Sequence, residues 1–192
     1  MREARYTNLN DRQTLFGLKM LQSYTGLIHY EDVLNAHKNR IEWICEIGTA
    51  TGSLSMFLAV WAKRLQIPFA TIDTGGSQNK LPFSTETEKT LYALGTRVLR
   101  DDCFSKTSSQ KIQNFIKTDP GFLFCDGGNK AKEVAHFGPK TVPGSIIVAH
   151  DWGVEFKSEH VDAVPEIDYL EPWHTRCIED EGRAAIMFRK SK

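Results

Sequence analysis

The chain has 192 residues, of which 24 are Lys or Arg and 24 are Asp or Glu, so its formal net charge is zero. This length suits one domain with its own buried core, and the charge balance argues against binding to a nucleic-acid backbone as the main function. No stretch approaches 18 uncharged apolar residues, which argues against a membrane span.

The cysteines and the N-terminus bear on the compartment. The four cysteines form no C-x-x-C pair, and the first residues lack the apolar region of a signal peptide. Cys45 and Cys125 lie in apolar, strand-like runs, where a reduced cysteine behaves as a small hydrophobe. We therefore expect a reducing, cytoplasmic location.

Two helices are predicted before the first strand. Asn10 can cap a helix over residues 11–24, which Gly26 would end, and a second helix covers residues 31–39. We expect residues 1–40 to form a helical cap over the edge of a sheet or its ligand crevice, with packing favoured over ligand contact.

The most informative stretch runs from residue 41 to residue 52. An apolar run over residues 41–47 predicts a buried strand. It leads into Glu46-x-Gly48-x-Ala50-x-Gly52, and residues 53–65 are mainly helix formers. A strand, a glycine turn and a helix open a doubly wound α/β sheet, in which ligands bind outside the carboxyl ends of the strands. Glycine allows a ligand to approach the backbone, and the helix directs its first N–H groups towards that ligand.

The rest of the chain alternates between strands and helices. We predict strands at residues 67–73, 96–99, 122–125 and 145–149. We also predict helices at residues 85–94 and 130–137, and one that Ser105 or Thr107 caps and that ends near Lys117. Two more strands, at residues 173–178 and 184–189, would form a hairpin through the turn at 179–182. The sequence thus predicts a single domain with a Rossmann-like, doubly wound, mostly parallel seven-stranded α/β sheet and a C-terminal antiparallel hairpin strand.

The glycine turn discriminates among ligand classes. A Walker loop would need Gly-Lys-[Ser/Thr] after the glycines, and none is present. A dinucleotide fingerprint would read Gly48-x-Ala50-x-x-Ser53, with glycine at only one of its three positions. What remains is an acid at Glu46, a Gly-x-x-x-Gly turn, and Asp73 at the end of the second strand.

These features, together with Asp126-Gly-Gly after the fourth strand and the terminal hairpin, resemble the class I S-adenosylmethionine-dependent methyltransferases. The resemblance implies that the glycine turn lies against the methionine end of the cofactor, that Glu46 faces its ammonium group, and that Asp73 binds its ribose hydroxyls. The cofactor carries an ammonium and a sulfonium but no phosphate, so acids near the turn attract it.

The resemblance also implies a set of cofactor-binding residues. The loop at residues 101–103 corresponds to the stretch that contacts adenine. The full implied set is Glu46, Gly48, Thr49, Ala50, Gly52, Asp73, Asp102, Cys103 and Asp126.

The ends of the fourth and fifth strands predict a metal site. The strand order of the methyltransferase family implies that these strands are neighbours, about 4.8 Å apart. Asp126 and Asp151 would then meet and repel unless a cation lies between them. Oxygen ligands suit Mg²⁺ or Ca²⁺.

Residues 126–152 are similar to the metal-dependent small-molecule O-methyltransferases of the cephalosporin hydroxylase-like and macrocin O-methyltransferase-like group. Members of that group carry a pair of acids after strand five. In this chain a histidine, His150, stands at the first position of that pair, and Asp151 stands at the second. Asp126, His150 and Asp151 are therefore the predicted metal ligands, and imidazole shifts the preference towards transition metals.

The implied reaction is in-line attack of a substrate hydroxyl on the sulfonium methyl group. A cation would lower the pKa of that hydroxyl and hold it in place. His150 and Lys130 are the candidate bases. Trp152, Tyr24 and Tyr30 are candidates for an aromatic wall around the acceptor.

Two other functions stay open. An NAD(P)-dependent oxidoreductase on the same fold would place a pyrophosphate at the glycine turn, and a non-catalytic protein would bind S-adenosylmethionine without transferring its methyl group. Nucleic-acid methylation is not expected, since no Asn-Pro-Pro-Tyr or Asp-Pro-Pro-Tyr tetrapeptide follows strand four. We expect a small-molecule acceptor that the sequence does not identify, no membrane partner, and a homodimer by default.

Overall fold

The computed structural model describes residues 14–75, 84–175 and 185–191. The strands are β1 Thr14–Leu15, β2 Leu18–Lys19, β3 Ile44–Ile47, β4 Phe69–Asp73, β5 Arg97–Arg100, β6 Phe122–Cys125, β7 Ile146–His150, β8 Ile167–Tyr169 and β9 Ala185–Lys190. The helices are α1 Tyr24–His37, α2 Ser53–Leu65, α3 Thr85–Ala93, α4 Lys106–Ile116, α5 Lys130–Phe137 and α6 Ser158–Asp162, with a short 3₁₀ turn at Gly138–Lys140.

Within the described ranges, seven strands form one mixed sheet in the order β5-β4-β3-β6-β7-β9-β8. The pairs from β5 through β7 are parallel, whereas β9 runs antiparallel to both β7 and β8. This arrangement confirms the predicted Rossmann-like sheet with an antiparallel strand near its C-terminal edge.

Two apolar layers cover the sheet. Alternating strand side chains point to opposite faces. Ile44 therefore belongs to the apolar layer that includes residues of α1, α2 and α3, while Cys45 belongs to the layer that includes residues of α4, α5 and α6. Every residue of β3 and of β6 is buried. Burial on both faces explains why these strands are continuous apolar runs in the sequence.

The strand order reverses between β3 and β6, since β4 and β5 lie on one side of β3 and β7 lies beyond β6. In such a sheet the loops at the carboxyl ends of the strands diverge at this point and leave a crevice. The glycine turn, Asp73, Asp126 and His150 all follow or end these strands.

The predicted helix over residues 11–24 is wrong for residues 14–23. Residues 14–19 form a β-hairpin, in which Thr14 pairs with Lys19. Phe16 and Gly17 adopt positive φ angles of 54° and 77°, the conformation of a two-residue hairpin turn, which a helix cannot contain.

The first helix begins later than predicted and merges with the second predicted one. Ser23 caps α1, since its side chain accepts a hydrogen bond from the backbone N–H of Gly26. The Gly26 that was expected to end a helix therefore lies in the first turn of one. Residues 1–13, which belong to the predicted N-terminal cap, lie outside the described residues.

The C-terminal strand β9 forms an antiparallel pair, but its partner is β8 and not the predicted strand at residues 173–178. β9 lies close to the prediction, but it pairs with β8, and Tyr169 lies opposite Phe188. Residues 173–175 are helical, and residues 176–184 lie outside the described part of the chain. The ring centroids of Tyr169 and Phe188 are 5.3 Å apart, a cross-strand aromatic contact that favours this register.

Cys45, Cys103 and Cys125 are free and buried thiols, while Cys177 lies outside the described residues. Across the three described ranges, no helix combines the length and hydropathy of a membrane crossing.

Candidate functional site

A cavity of about 710 Å³ opens at the carboxyl ends of the strands, where the sheet order reverses. Five strand ends contribute to its walls, and Leu21 lines it from the segment before α1. A cavity of this size accommodates a cofactor-sized ligand. Most of the predicted binding residues meet here: Gly48, Ala50, Asp73, Asp102, Cys103, Asp126, Lys130, His150 and Asp151 all line it.

The glycine turn is shaped by its neighbours in the sheet. Gly48 has a φ angle of 99°, and a Cβ atom there would overlap the backbone carbonyl oxygen of Asp126. Glycine is therefore required at this position by the packing of the turn against the end of β6. Gly52 has a φ angle of 84° and directly precedes α2. Neither Gly52 nor Thr49 lines the cavity.

Asp73 ties the glycine turn to the end of β4. Its Oδ2 accepts a hydrogen bond from the backbone N–H of Ala50 at 2.9 Å, and its Oδ1 accepts one from Gly75 at 2.8 Å. The carboxylate thus lies directly beside the turn and takes one of the turn's N–H groups. A phosphate at this place would meet a negative charge rather than an available donor.

Glu46 lies beneath the turn and does not line the cavity. Its carboxyl group is fully buried and accepts hydrogen bonds from the hydroxyls of Ser55 and Thr71. Burial raises the pKa of Glu46 to about 8, against the opposing effect of these two hydroxyls. The carboxyl is therefore neutral at pH 7, and its predicted contact with a cofactor ammonium stays a prediction.

The loop after β5 forms one wall of the cavity. The carboxylate of Asp101 accepts hydrogen bonds from the hydroxyls of Ser105 and Ser108 at 2.6 and 2.7 Å, and these bonds lower its pKa. Cys103 is buried, and burial raises the pKa of its thiol to about 12, so it acts as an apolar group. Phe104, which sequence reasoning missed, also lines the cavity.

The three predicted metal ligands come together at the other wall. His150 Nδ1 lies 3.3 Å from Asp126 Oδ1 and 3.2 Å from Asp151 Oδ1. One ligand atom from each of these three residues lies within 4.8 Å of the others. The parallel pairing of β6 with β7 produces this cluster, as the family resemblance implied.

Lys130 occupies the same cluster. Its Nζ lies 2.8 Å from Glu155 Oε2, 2.9 Å from Asp151 Oδ2 and 3.6 Å from Asp126 Oδ1. Its side chain is only 8% exposed. This lysine is thus a buried ion-pair partner and not the exposed helix residue that is common at such positions.

The charges in this cluster argue against proton abstraction by either candidate base. Burial opposes the charge on His150, but Asp126 and Asp151 outweigh it and raise the pKa of the imidazole to about 10. Burial likewise opposes the charge on Lys130, while the three carboxylates raise its pKa. As a base, each would first have to lose a proton that these carboxylates hold in place.

As arranged, the cluster does not fit a divalent metal. The Asp126 and Asp151 oxygens that would bind it already pair with the ammonium of Lys130 and the imidazole of His150. The second oxygen of Asp126 accepts a hydrogen bond from Gln22 Nε2 at 2.9 Å. A metal would therefore have to displace protein cations from both carboxylates.

Glu133 is a further residue that sequence reasoning missed. It is 1% exposed, and its carboxylate accepts hydrogen bonds from the backbone N–H groups of Gly127 and Asn129, each at 3.1 Å. Burial raises its pKa to about 7 against these two bonds. Glu133 thus holds the loop that positions Asp126. The signal in the sequence was an acid in the first turn of a predicted helix, where acids are common.

The predicted aromatic wall is not part of the cavity. Tyr30 is 1% exposed and packs edge-on against Phe124 in the core. Trp152 packs against Phe156, while Tyr24 is exposed. None of these three candidates lines the cavity.

No protein-family model matches the chain, and no curated protein matches its sequence. Solved structures do match its fold. A structure of CmcI with Mg and SAM matches with a TM-score of 0.65 and 13% identity, covering 98% of this chain and 81% of that one. This is the methyltransferase fold.

Two further matches agree with this conclusion. A Staphylococcus aureus structure assigned as a caffeoyl-CoA O-methyltransferase has a TM-score of 0.53 and 13% identity, covering 91% of this chain and 86% of that one. A Galdieria sulphuraria structure assigned as a sarcosine dimethylglycine methyltransferase has the same TM-score and 8% identity, covering 87% and 85%. At these identities the likeness concerns the fold.

Proposed function

We propose that this protein is an S-adenosylmethionine-dependent methyltransferase that acts on the hydroxyl group of a small molecule. The observation that carries the proposal is the carboxylate of Asp73, which accepts the Ala50 N–H of the glycine turn and lines the cavity. This carboxylate already takes an N–H group of the turn that a pyrophosphate would need. The turn also has Ala50 and Ser53 at two of the three fingerprint glycine positions, which disfavours a dinucleotide. The solved structures that share the fold include CmcI with Mg and SAM and two structures assigned as methyltransferases.

The cavity offers a consistent placement for this cofactor. Asp73 still has lone pairs for ribose hydroxyls beyond its two backbone hydrogen bonds. Asp102, Cys103 and Phe104 would surround the adenine. The backbone of Gly48 and Ala50 would lie along the methionine part, with Asp126 near its amino group. Glu46, which lies beneath the turn, would contribute indirectly by holding the turn in its conformation.

The reaction would be an in-line displacement at the methyl carbon. The acceptor hydroxyl loses its proton to solvent, its oxygen forms a bond to the methyl carbon, and the carbon–sulfur bond breaks to leave S-adenosylhomocysteine. His150 and Lys130 line the cavity as cations, so we assign them the stabilisation of the negative charge on the acceptor oxygen. This role suits an acceptor whose hydroxyl is acidic, such as a phenol.

Assistance by a divalent metal, with Asp126, His150 and Asp151 as ligands, stays a prediction. It requires Lys130 to leave the carboxylate of Asp151, which lies 2.9 Å from its Nζ. The cytoplasmic location and the homodimer also stay predictions from the sequence. The free thiols of Cys45, Cys103 and Cys125 fit a reducing compartment.

Calorimetric titration tests the cofactor assignment. We expect heat with S-adenosylmethionine and S-adenosylhomocysteine and none with NAD. Asp73→Asn should weaken S-adenosylmethionine binding about tenfold or more, because an amide removes the charge and one of the two acceptor oxygens.

The matched control is Asp119→Asn, which neutralises an exposed acid remote from the cavity walls and should leave binding unchanged. Heat with NAD alone would contradict the proposal and favour an oxidoreductase. Binding without methylation of any hydroxyl compound in a radiolabel-transfer screen would favour a non-catalytic protein.

A further inference from the structure

Three carboxylates from different elements converge on the side chain of Lys130. Asp126 follows β6, Asp151 follows β7, and Glu155 lies in the loop before α6. The distances from Lys130 Nζ to their oxygens are 3.6, 2.9 and 2.8 Å. The ammonium therefore lies at the centre of the acidic cluster, where a cation would reduce the repulsion among the acids.

The position of Lys130 on its helix supports a role beyond helix stability. It is the first residue of α5, directly after the capping Asn129. A cation at a helix N-terminus opposes the helix dipole, so the helix itself gains nothing from this charge. The energy that keeps Lys130 buried comes from the carboxylates that surround it.

The remaining oxygens of the two aspartates are also paired. Gln22 Nε2 donates to Asp126 Oδ2 at 2.9 Å, and His150 Nδ1 lies within 3.3 Å of an oxygen of each aspartate. Each oxygen of Asp126 and of Asp151 thus faces a nitrogen of the protein. A divalent ion placed among them would lie next to the positive charge of Lys130.

We propose that the ammonium of Lys130 is the resident cation of this site and takes the place of the divalent metal that the three ligand-type residues would otherwise bind. One consequence of this proposal rests on the proposed methyltransferase function: methyl transfer should proceed in the presence of EDTA. The cation that faces the acceptor oxygen is then supplied by the chain.

Removal of the ammonium should expose a metal site. Lys130→Met keeps the length and apolar character of the side chain but leaves the three carboxylates without their cation. We expect millimolar MgCl₂ or MnCl₂ to raise the Tm of Lys130→Met by about 3–5 °C, relative to NaCl at equal ionic strength. The wild-type Tm should not change, and electron paramagnetic resonance should show free Mn²⁺ in its presence.

Lys132→Met is the matched control. Lys132 lies two residues further along α5 and also lines the cavity, but its Nζ lies 3.9 Å from the centre of the Phe104 ring. Its removal should give no metal-dependent shift. A shift in this variant equal to that in Lys130→Met would show a nonspecific loss of positive charge and would overturn the proposal.

Two further results would also overturn it. Stoichiometric Mn²⁺ binding by the wild-type protein would show that Lys130 gives way to a metal, and no metal response in Lys130→Met would show that the carboxylates form no cation site. Should Lys130→Met not fold alone, the proposal predicts that Mg²⁺ or Mn²⁺ restores its refolding from urea; failure to restore it counts against the proposal. No cofactor or acceptor is present in these measurements, so they are independent of the test with S-adenosylmethionine.

Discussion

At the residue scale, the site shows how burial changes the chemistry of an acid. Glu46 and Asp73 both end or nearly end a central strand, yet one is fully buried and the other lines the cavity. Glu46 accepts hydroxyl hydrogen bonds and has a pKa raised to about 8, whereas Asp73 accepts backbone hydrogen bonds beside the turn. Two acids that look equivalent in the sequence thus have different roles.

The raised pKa of Glu46 predicts a pH-dependent stability. In the unfolded chain this carboxyl ionises near its ordinary value of 4.5, whereas in the folded chain it stays protonated up to about pH 8. Its contribution to the free energy of unfolding is therefore fully present below pH 4.5 and declines as the pH rises to 8, by at most about 1.4 kcal/mol per pH unit. Glu46→Gln should remove this decline.

Urea unfolding of Glu46→Gln and wild type at several pH values between 5 and 9 measures the effect. The stability of the variant relative to wild type should increase up to about pH 8 and then level off. Glu86→Gln, which changes an exposed acid on α3, should follow the wild-type curve. A constant difference between Glu46→Gln and wild type over this range would show that the carboxyl is ionised in the folded protein.

At the element scale, the turns after β3 and β6 are packed against each other. The Gly48 backbone lies so close to the Asp126 carbonyl that a side chain cannot fit. Glu133 of α5 accepts the N–H groups of Gly127 and Asn129, and thereby holds the second turn in place. The two walls of the cavity are thus positioned by backbone packing as well as by side-chain contacts.

Replacement of Gly48 by alanine should therefore be severe. The new Cβ would overlap the backbone of Asp126, and the φ angle of 99° adds strain. We expect a loss of about 4 kcal/mol or more in the free energy of unfolding, measured by urea denaturation, together with loss of S-adenosylmethionine binding.

Gly95→Ala provides the comparison, since Gly95 has a φ angle of 89° but no other atom within 4 Å of the position that an alanine Cβ would occupy. Its cost should be confined to the backbone strain of about 1–2 kcal/mol. Equal losses for the two variants would mean that φ alone, and not the contact between the two turns, requires glycine at position 48.

At the scale of the whole molecule, β9 joins the parallel part of the sheet to its last strand. It pairs with β7 on one side and β8 on the other, and its residues Ile186, Met187 and Phe188 are fully buried. Phe188 contacts the rings of Phe156 and Tyr169, with centroid distances of 5.9 and 5.3 Å. The C-terminal strand thus belongs to the cooperative core.

Phe188→Ala should destabilise the protein by about 3–5 kcal/mol, because it removes a buried aromatic ring from this core. Phe16→Ala makes the same change at a side chain that is 58% exposed and should alter stability by no more than about 0.5 kcal/mol. Thermal or urea unfolding compares the two. A small effect at Phe188 would place β9 outside the cooperative unit.

The sequence by itself determined the alternating strands and helices, because fully buried strands are continuous apolar runs and their ends carry glycines and acids. The helices α2 and α5 match the prediction residue for residue. The grouping of Asp126, His150 and Asp151 followed from the sequence only together with the strand order that the family resemblance implies, since parallel neighbouring strands end at the same edge of a sheet.

Only the tertiary structure decided what those residues face. Hydrophobic periodicity does not encode the positive φ angles that make residues 14–19 a hairpin, nor the pairing of β9 with β8. It could not show that Glu46 lies beneath the turn, or that the carboxylates of Asp151 and Glu155 surround Lys130. These are long-range contacts, and local sequence patterns carry no information on which side chain meets another across the fold.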